Sequence, residues 1–446
     1  MSANKQKIGV DVGGTFTDFS CQLSDGRRLG FKIPSTPGDP SKAVIEGVVE
    51  LIENHNVDPS EIDLFAHGTT VATNAVIERK GATVGLITTS GFRDVLEIGR
   101  QMRQQMYSVR LEPETPVFLA PGRRRFGVIE RIGPDGEIIT PLDESSVLEA
   151  LTSLRTQKVS SVAVALLFSF MNPVHEKRIR EIILDNYPDI LVSLSSEVDP
   201  VFREYERTVV TAFDAYIKPT VDQYLSNLSN ALKNKKIGAS LQIMQSRGGL
   251  AGAETARMRP VRLFLSGPAG GVIGALSEGK INNYKDLITV DIGGTSCDIA
   301  LINDAKPLIR QEGIIDKYMV RVPMVDVNAI GSGGGSIAWL DKAGGLKVGP
   351  HSAGSEPGPA CYGRGGVEPT VTDASLVLGL IDPEYLAGGR FHLDKDKAYK
   401  TILEKVATPL SLSVEEAALG IHRVLNAQMA EGIRFVSIKQ GFDPRD

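Results

Sequence analysis

Two aspartates, Asp11 and Asp291, hold the same place in a phrase the sequence writes twice: IGVDVGGTFTD at residues 8–18 and ITVDIGGTSCD at 288–298, a constant 280 positions later. Ile, Val, Asp, Gly, Gly, Thr and the closing Asp coincide, at positions 8, 10, 11, 13, 14, 15 and 18 of the first copy. Gly13 and Gly14, and their counterparts Gly293 and Gly294, permit a tight turn with positive φ and let backbone N–H groups come close to an anion. Thr15, Thr17 and Thr295 add hydroxyl donors. A carboxylate beside a phosphate repels it unless a cation lies between them, so Asp11 and Asp291 point to a hydrated Mg²⁺. Asp18 and Asp298, which close the two copies, complete the candidate phosphate-binding set. A single D-x-G-G-T is a weak signal that a plain hairpin turn explains. Two copies facing each other would grip a polyphosphate from both sides.

Elements that could position such hairpins follow the α/β alternation of the chain. The run into Asp11 (Ile8, Val10, Val12) is apolar and β-prone, as expected of a buried strand. A third strand is expected from Leu29 to Ile33. Asp39-Pro40 reads as an N-cap followed by proline at the first helical position, opening a helix to about His55 with Val44, Val48, Leu51 and Ile52 on one face. Asp63 to Ala66 predicts a strand entering His67-Gly68-Thr69-Thr70, then a helix to about Lys80. Strand Ala82 to Thr88 and a turn at Thr89-Ser90-Gly91 follow. Asp143 caps a helix to about Lys158, Val159 to Phe168 predicts a long buried strand, and Asn172-Pro173 starts another helix. Glu204 to Lys235 is helical in pattern, with Pro219 expected to break or kink it. This stretch marks the boundary between a first half, residues 1–200, and a second, 201–446. The second is expected to restart with strand Ser240 to Gln245, and a helix from Ser413 to Gln440, capped by Gly441, closes the chain.

Composition bounds what such a chain does. A length of 446 residues predicts roughly three domains, and 42% hydrophobic with 23% charged residues is ordinary for a globular protein. A net charge of −5 argues against nucleic acid as a partner. Cys21, Cys297 and Cys361 are odd in number, far apart and without a C-x-x-C pattern, which points to a reducing compartment and away from zinc or iron–sulfur chemistry. The N-terminus MSANKQKIGV runs straight into the first strand, and no run approaches the roughly 20 apolar residues of a membrane span. The expectation is a cytoplasmic protein with no membrane partner.

A duplicated α/β chain with a glycine hairpin opening each half resembles the superfamily of actin-like ATPases and sugar kinases, of ribonuclease H-like fold. In that superfamily the hairpins hold ATP in the cleft between domains. Within it, the segments VDVGGTFTD, HGTTVATNAVIER, GFRDVLEIGRQ, RRFGVIERI, SGPAGGVIGA, VDIGGTSCDIAL, IGSGGGSIAWLD and VGPHSAGSEPGPACYGRGGVEPTVTDA, in this order, closely resemble the hydantoinase/oxoprolinase family, in particular its A-type, ATPase-like subunit, as in N-methylhydantoinase A and the N-terminal half of 5-oxoprolinase. Radical-enzyme activases of the same fold need bridging cysteines that are absent here.

The resemblance implies ATP-dependent hydrolysis of a cyclic amide (a hydantoin, 5-oxoproline or a lactam). Phosphoryl activation of the carbonyl would open it to attack, with a B-type partner subunit in a hetero-oligomer. An ATP-dependent ketone carboxylase subunit and a noncatalytic, shortened scaffold are the alternatives. Carried over residue by residue, Gly13, Gly14, Thr15, Thr17, Gly293, Gly294 and Thr295 cradle phosphate, while Asp11 and Asp291 hold Mg²⁺ and act as the catalytic pair. A small-molecule substrate is assigned to His67, Thr69, Thr70, Asn74 and Arg93, although His67 could equally fix its turn and Thr70 could be an N-cap. Arg93, Arg100, Arg103, Arg110, Arg123, Arg124, Arg125 and Arg131 could grip an acidic substrate, but a solvated loop or a subunit contact is the preferred reading. Cys297, where the first copy has Thr17, is read as a small buried residue and not a nucleophile. Asp326, His351, Glu356, Cys361 and Asp373 mix metal-ligand types, but Asn328 stands where family members often carry histidine, which weakens a metal site there. Gly331 to Gly335 are expected to line the cleft. Family A subunits continue past the phrase GFDPRD with a glycine-rich segment that holds the adenosine. The sequence stops at Asp446, so the expectation is an incomplete second domain with the phosphate half of the site present.

Overall fold

The computed structural model describes residues 5–14, 16–36, 38–102, 107, 109, 115–386, 389 and 391–445. Thr15, Arg103 and Arg110 lie outside the described residues. The first half opens with β1 (Gln6–Val12), β2 (Phe16–Gln22) and β3 (Arg28–Pro34), an antiparallel meander. Helix α1 (Pro40–Asn54) starts as expected, the Asp39 side chain accepting from the Ser41 amide, and it buries Val44, Val48 and Leu51. Strand β4 (Ile62–Thr69) runs parallel to β1, and α2 (Val71–Ile77) follows it.

A second, four-stranded sheet contains β5 (Val84–Thr89) and β6 (Arg125–Val128). Helix α3 (Glu144–Thr156), capped by Asp143, leads to β7 (Ser161–Ala165), and α4 (Val174–Asn186) leads to β8 (Leu191–Leu194). The sheet is parallel, in the order β8-β7-β5-β6. Strand β7 ends earlier than the expected Phe168. Beyond Ala165 the backbone turns to side-chain acceptors: the Leu166 amide donates to Glu176 Oε1 (3.0 Å) and the Leu167 amide to Thr89 Oγ1 (3.0 Å).

Helix α5 (Glu204–Asn234) is a continuous helix of 31 residues that runs through Pro219, so the expected break does not occur. Proline there removes an N–H and crowds the preceding turn. The missing N–H is the one that would reach the Ala215 carbonyl, and in the same turn the Tyr216 carbonyl accepts from the Ala82 amide at 2.8 Å. Next come β9 (Leu241–Met244) and β10 (Leu250–Gly252). The strand expected to restart the second half is β9, and it belongs to the first sheet, parallel to β4. That sheet is ordered β10-β9-β4-β1-β2-β3. The mismatch has a physical cause: Leu241 and Ile243 are buried in the same core as Phe65, Phe213 and Phe264, and an alternating apolar strand does not reveal which sheet it will join.

Helix α6 (Ser266–Ile281) crosses to the second half, where β11 (Leu287–Ile292), β12 (Cys297–Asn303) and β14, reached through a short strand β13 (Lys306–Pro307) and spanning Val327–Ile330, repeat the antiparallel meander. The repeat differs from β1 in cover. Ile8, Val10 and Val12 are buried, whereas Val290 and Ile292 are 41% and 52% exposed. Among the described residues β11 pairs only with β12. Helices α7 (Val371–Val377), α8 (Lys395–Ile402) and α9 (Val414–Ser437) build a separate core with Ala338, Val348 and Cys361. A capping box between Ser413 and Glu416 starts α9, and Gly441 at φ +87° follows its last turn. Between β13 and β14 a small hairpin, Gly313–Ile315 with Tyr318–Val320, reaches back: Ile315, Tyr318, Val320 and Met324 are buried in the core of the first half.

Candidate functional site

Both repeated phrases fold as hairpins of the same geometry. The Gly13 amide donates to the Phe16 carbonyl (3.0 Å), and the Gly293 amide to that of Ser296 (2.9 Å). The register then pairs Asp11 with Asp18 and Asp291 with Asp298 across their strands. Because side chains alternate along a strand, each half presents two carboxylates side by side on one face and sends Val12 and Thr17, or Ile292 and Cys297, to the other.

Helix α6 runs alongside Asp11 and Asp291. A Cβ added at Gly267 would lie 3.5 Å from Asp11 Oδ1, and one at Gly271 would lie 3.5 Å from Asp291 Oδ2. These glycines are four residues apart, about one turn or 6 Å of helix. On the opposite side of Asp11, a Cβ at Gly68 would stand 2.5 Å from Oδ1, so the glycine of HGTT leaves room for the carboxylate. The helix start is fixed by the Ser266 hydroxyl, which donates to the Thr69 carbonyl at 2.9 Å. Leu265 at φ +54° turns the chain into it.

Crowding of like charge shows in the acidities. Burial, then Asp18 and Asp291, push the Asp11 carboxyl up to about 6. Burial and Asp291 push Asp298 up to about 6. Among the described residues, Asp18 is the one of the four with a cation against it, Lys32 Nζ at 2.9 Å. The cleft, of about 350 Å³, is lined by Asp11, Asp18, Asp291, Gly68, Gly267 and Met244, among others. A larger cavity of about 770 Å³, lined by Asn328, Trp339, Gln428 and Phe435, touches none of the four aspartates.

The hairpin glycines are needed for reasons other than the expected positive φ. Gly13, Gly14 and Gly293 all avoid the left-handed region, and nothing lies within 4 Å of a Cβ built on Gly14. What glycine provides there is open space above the backbone. Bracing comes from residues the sequence reading left aside. Ser35 Oγ donates to the Gly13 carbonyl (2.8 Å) and bonds Thr17 Oγ1 (3.1 Å). Thr17 is fully buried, so its hydroxyl belongs to this brace and not to a phosphate cradle. In the second half, the amides of Gly334 and Gly335 donate to the carbonyls of Gly293 (2.9 Å) and Gly294 (2.7 Å). A Cβ at Gly333 would fall 2.7 Å from the Thr295 and Ser296 backbone. The glycine run 331–335 therefore supports the second hairpin from behind.

The residues assigned to substrate scatter. His67 is 1% exposed, bonds Tyr224 Oη through Nε2 (2.7 Å), and is pushed down to about 4 by burial. It is a neutral ring that fixes β4. Thr69 is also buried, and its hydroxyl accepts from the Val71 amide (3.3 Å). Thr70 donates to the Val12 carbonyl (3.4 Å) and accepts from Asn74 (3.2 Å), tying α2 to the first hairpin; its side chain makes no capping bond. Arg93 contacts the Gly122 carbonyl and Asp94, outside the cleft lining. Arg125 is buried against Glu97 (2.5 Å) and Arg100 pairs with Glu206 (2.6 Å). The mixed set in the glycine-dense region does not assemble either: Asp373 accepts from the Cys361 and Thr370 amides (2.8 and 2.9 Å) in a capping box, while Asp326 lies beside Arg310. Cys297 is buried and its thiol is pushed up to about 11, by burial first and then by Asp298 and Asp291, as suits a packing residue.

Sequence reasoning missed Gly68, Gly267 and Gly271. The i, i+4 spacing of the two glycines in SGPAGG was the available signal, since that spacing puts both on one flank of a helix.

Two family models cover the chain: Hydantoinase/oxoprolinase N-terminal region over residues 7–187, and Hydantoinase/oxoprolinase over residues 207–446. The alpha subunit of caprolactamase from Pseudomonas jessenii is 40% identical over 100% of this chain and 65% of its own length. The solved structure of that organism's ATP-dependent caprolactamase superposes with a TM-score of 0.82, over 98% of this chain and 64% of that one. The nucleotide-free structure of acetone carboxylase gives a TM-score of 0.83 at 30% identity, over 99% and 64%. 5-oxoprolinase 1 of Arabidopsis thaliana is 31% identical over 99% of this chain and 38% of its own length. The chain thus spans less than two thirds of the length of each of these relatives.

Proposed function

The chain belongs to the hydantoinase/oxoprolinase family, and on that premise we propose that it is the nucleotide-handling part of an ATP-dependent enzyme that opens a cyclic amide together with a B-type partner subunit. One observation carries this reading: two cross-strand aspartate pairs, Asp11 with Asp18 and Asp291 with Asp298, facing the same helix from opposite halves.

The residues present fit a divalent cation and a polyphosphate. Carboxylates whose acidity is weakened by burial and then by a neighbouring carboxylate, Asp18 and Asp291 at Asp11 and Asp291 at Asp298, gain from a nearby cation. Asp11 and Asp291 would hold hydrated Mg²⁺. The unobstructed backbone at Gly14, with Gly13, Gly293, Gly294 and Thr295, would take the phosphates. When bound, ATP supplies a phosphoryl group that turns an amide or enol oxygen into a leaving group. The chain's own work is positioning and charge neutralisation: the hairpins fix the anion, Ser35 and Gly334 hold the hairpins, and Gly68, Gly267 and Gly271 let two carboxylates approach from both halves. The cytoplasm is the proposed compartment; among the described residues no helix is long and apolar enough to cross a membrane.

The test is substrate-dependent ADP release by the chain with its partner, using a hydantoin, 5-oxoproline and a lactam. Asp11→Ala and Asp291→Ala should each abolish turnover; undiminished release in both sinks the mechanism. The close superposition on acetone carboxylase favours a ketone carboxylase as the second reading, and turnover that requires bicarbonate and a ketone would select it.

A further inference from the structure

Beyond the carboxylate cleft, a cluster of arginines gathers between β9 and the start of α6. The turn between β9 and β10 brings Arg247 to the residues just before α6: the Ser246 amide and hydroxyl both donate to the Arg262 carbonyl, at 2.8 and 2.6 Å. Arg259 lies one short helical turn earlier, its carbonyl accepting from the Arg262 amide at 3.2 Å. Among the described residues, none of these three guanidinium groups makes an ion pair or a side-chain hydrogen bond, whereas Arg79, Arg100, Arg125, Arg155, Arg178 and Arg257 all do.

Nearby carboxylates do not offset the charge. Asp214 is engaged by Lys218 Nζ (3.1 Å), the Ser193 hydroxyl (2.6 Å) and the Val261 amide (3.1 Å). Asp199 is engaged by Arg321 at 2.6 Å. Burial, then Arg259 and Arg247, hold the Arg262 guanidinium below its ordinary value, with Asp214 and Asp199 only partly opposing. Like charges brought together without a carboxylate are relieved by an anion, and a guanidinium fork matches a phosphate or carboxylate with two hydrogen bonds. The cleft lining reaches the segments that carry the arginines: Met244 and Leu250 flank the turn of Arg247, and Ser266 lies four residues after Arg262.

We propose that Arg247, Arg259 and Arg262 form an oxyanion-binding site at the rim of the carboxylate cleft, which takes the phosphoryl or carboxylate group of a small-molecule ligand. Asp11, Asp18 and Asp291, which line that cleft, then do the complementary work, holding cations while the arginines hold an anion. The site is independent of the glycine hairpins, so it stands or falls separately from the nucleotide reading.

Equilibrium dialysis of the purified chain with labelled inorganic phosphate at low ionic strength tests it, in a background of Gly14→Asp with Gly293→Asp that closes both hairpins to anions. The expected result is saturable phosphate binding in that background, weakened roughly tenfold by Arg262→Gln and by Arg247→Gln and only partly restored by Arg262→Lys. Arg247 sits on an exposed turn, so its variant reports binding even where the Arg262 variant folds poorly. Competition with malonate separates the sources: displacement assigns the site to a carboxylate ligand, and indifference assigns it to a phosphoryl group. Phosphate binding that vanishes with the hairpin substitutions alone, or that ignores both arginine variants, overturns the proposal.

Discussion

Asp11 and Asp291, 280 residues apart in sequence, bear on one face of a single helix: the first against Gly267 and the second against Gly271, one turn further on. A methyl group at either position would make an ordinary contact with its carboxylate at 3.5 Å, and each aspartate comes from a different half. Helix α6 is therefore the spacer that sets how far apart the two charges stand.

Room for Asp11 is set more tightly by Gly68 than by the helix. A methyl group at Gly68 would fall 2.5 Å from Asp11 Oδ1, whereas one at Gly267 would make an ordinary contact at 3.5 Å. Gly68→Ala should lower substrate-dependent ADP release on the order of 100-fold by displacing the carboxylate, while Gly267→Ala stays within a few-fold of the parent. Steady-state assays of the two variants beside the parent decide the point. Equal effects would mean that the carboxylate position is not what Gly68 protects.

Most of this geometry was legible in the sequence as far as local spacing reaches. The duplicated phrase located both hairpins, and the Asp39 and Asp143 caps fall where the residues indicate, because capping is decided within four residues. What the sequence concealed depends on distant packing. Thr17 reads as a phosphate donor until Ser35, just past the end of β3, takes its hydroxyl. His67 reads as a ligand until Tyr224, 157 residues away, meets its ring. Strand β9 carries no mark of the sheet it joins. The aspartates were found because their chemistry repeats; the glycines that admit them were not, because absence of a side chain has meaning only beside a neighbour.

The raised aspartates give the folding equilibrium a distinctive pH dependence. Asp11 and Asp298 lie at about 6 against an ordinary value of 3.8. Between roughly pH 4 and 6 the folded chain thus keeps protons that the unfolded chain has released. These two groups therefore make stability fall as pH rises through that window, with the loss complete above it. Asp291→Asn removes a charge that both feel, so the fall should be shallower in the variant. Urea midpoints from pH 4.5 to 7 for both proteins give the difference, in which carboxylates of opposite behaviour such as Asp143 and Asp341 cancel. Parallel curves would show that Asp291 is electrostatically remote from the other two.

At His67 the expected consequence is structural. Tyr224→Phe keeps the packing but leaves Nε2 of a buried imidazole without its partner, at a cost of about 1–3 kcal/mol. Because burial holds His67 near 4, the ring is neutral throughout pH 5–8, and the variant should leave the shape of the pH–rate profile unchanged in that range. A new ionisation near neutrality in the variant, or a lost one, would return His67 to the list of groups that take part in the chemistry.

The hairpin between β13 and β14 links the halves by burial. Tyr318 is 6% exposed and packs its ring 5.5 Å from Phe118 and 6.3 Å from Phe213, of α5, which is buried in the core of the first sheet. Arg79, of the first half, stacks 3.9 Å over Phe118 and pairs with Asp316 at 2.6 Å. Arg321 anchors the other end on Asp199 at 2.6 Å. The aromatic cluster is desolvated, while the Arg79 pair is partly exposed and contributes little on its own. Tyr318→Ala should then cost about 3–5 kcal/mol, and Asp316→Asn less than about 1 kcal/mol. Hydrogen exchange locates the loss. If the hairpin joins the two halves, Tyr318→Ala will speed exchange around Phe118 and Phe213 as well as in the hairpin itself. Acceleration confined to residues 309–325 would show that the hairpin rests on the first half without holding it.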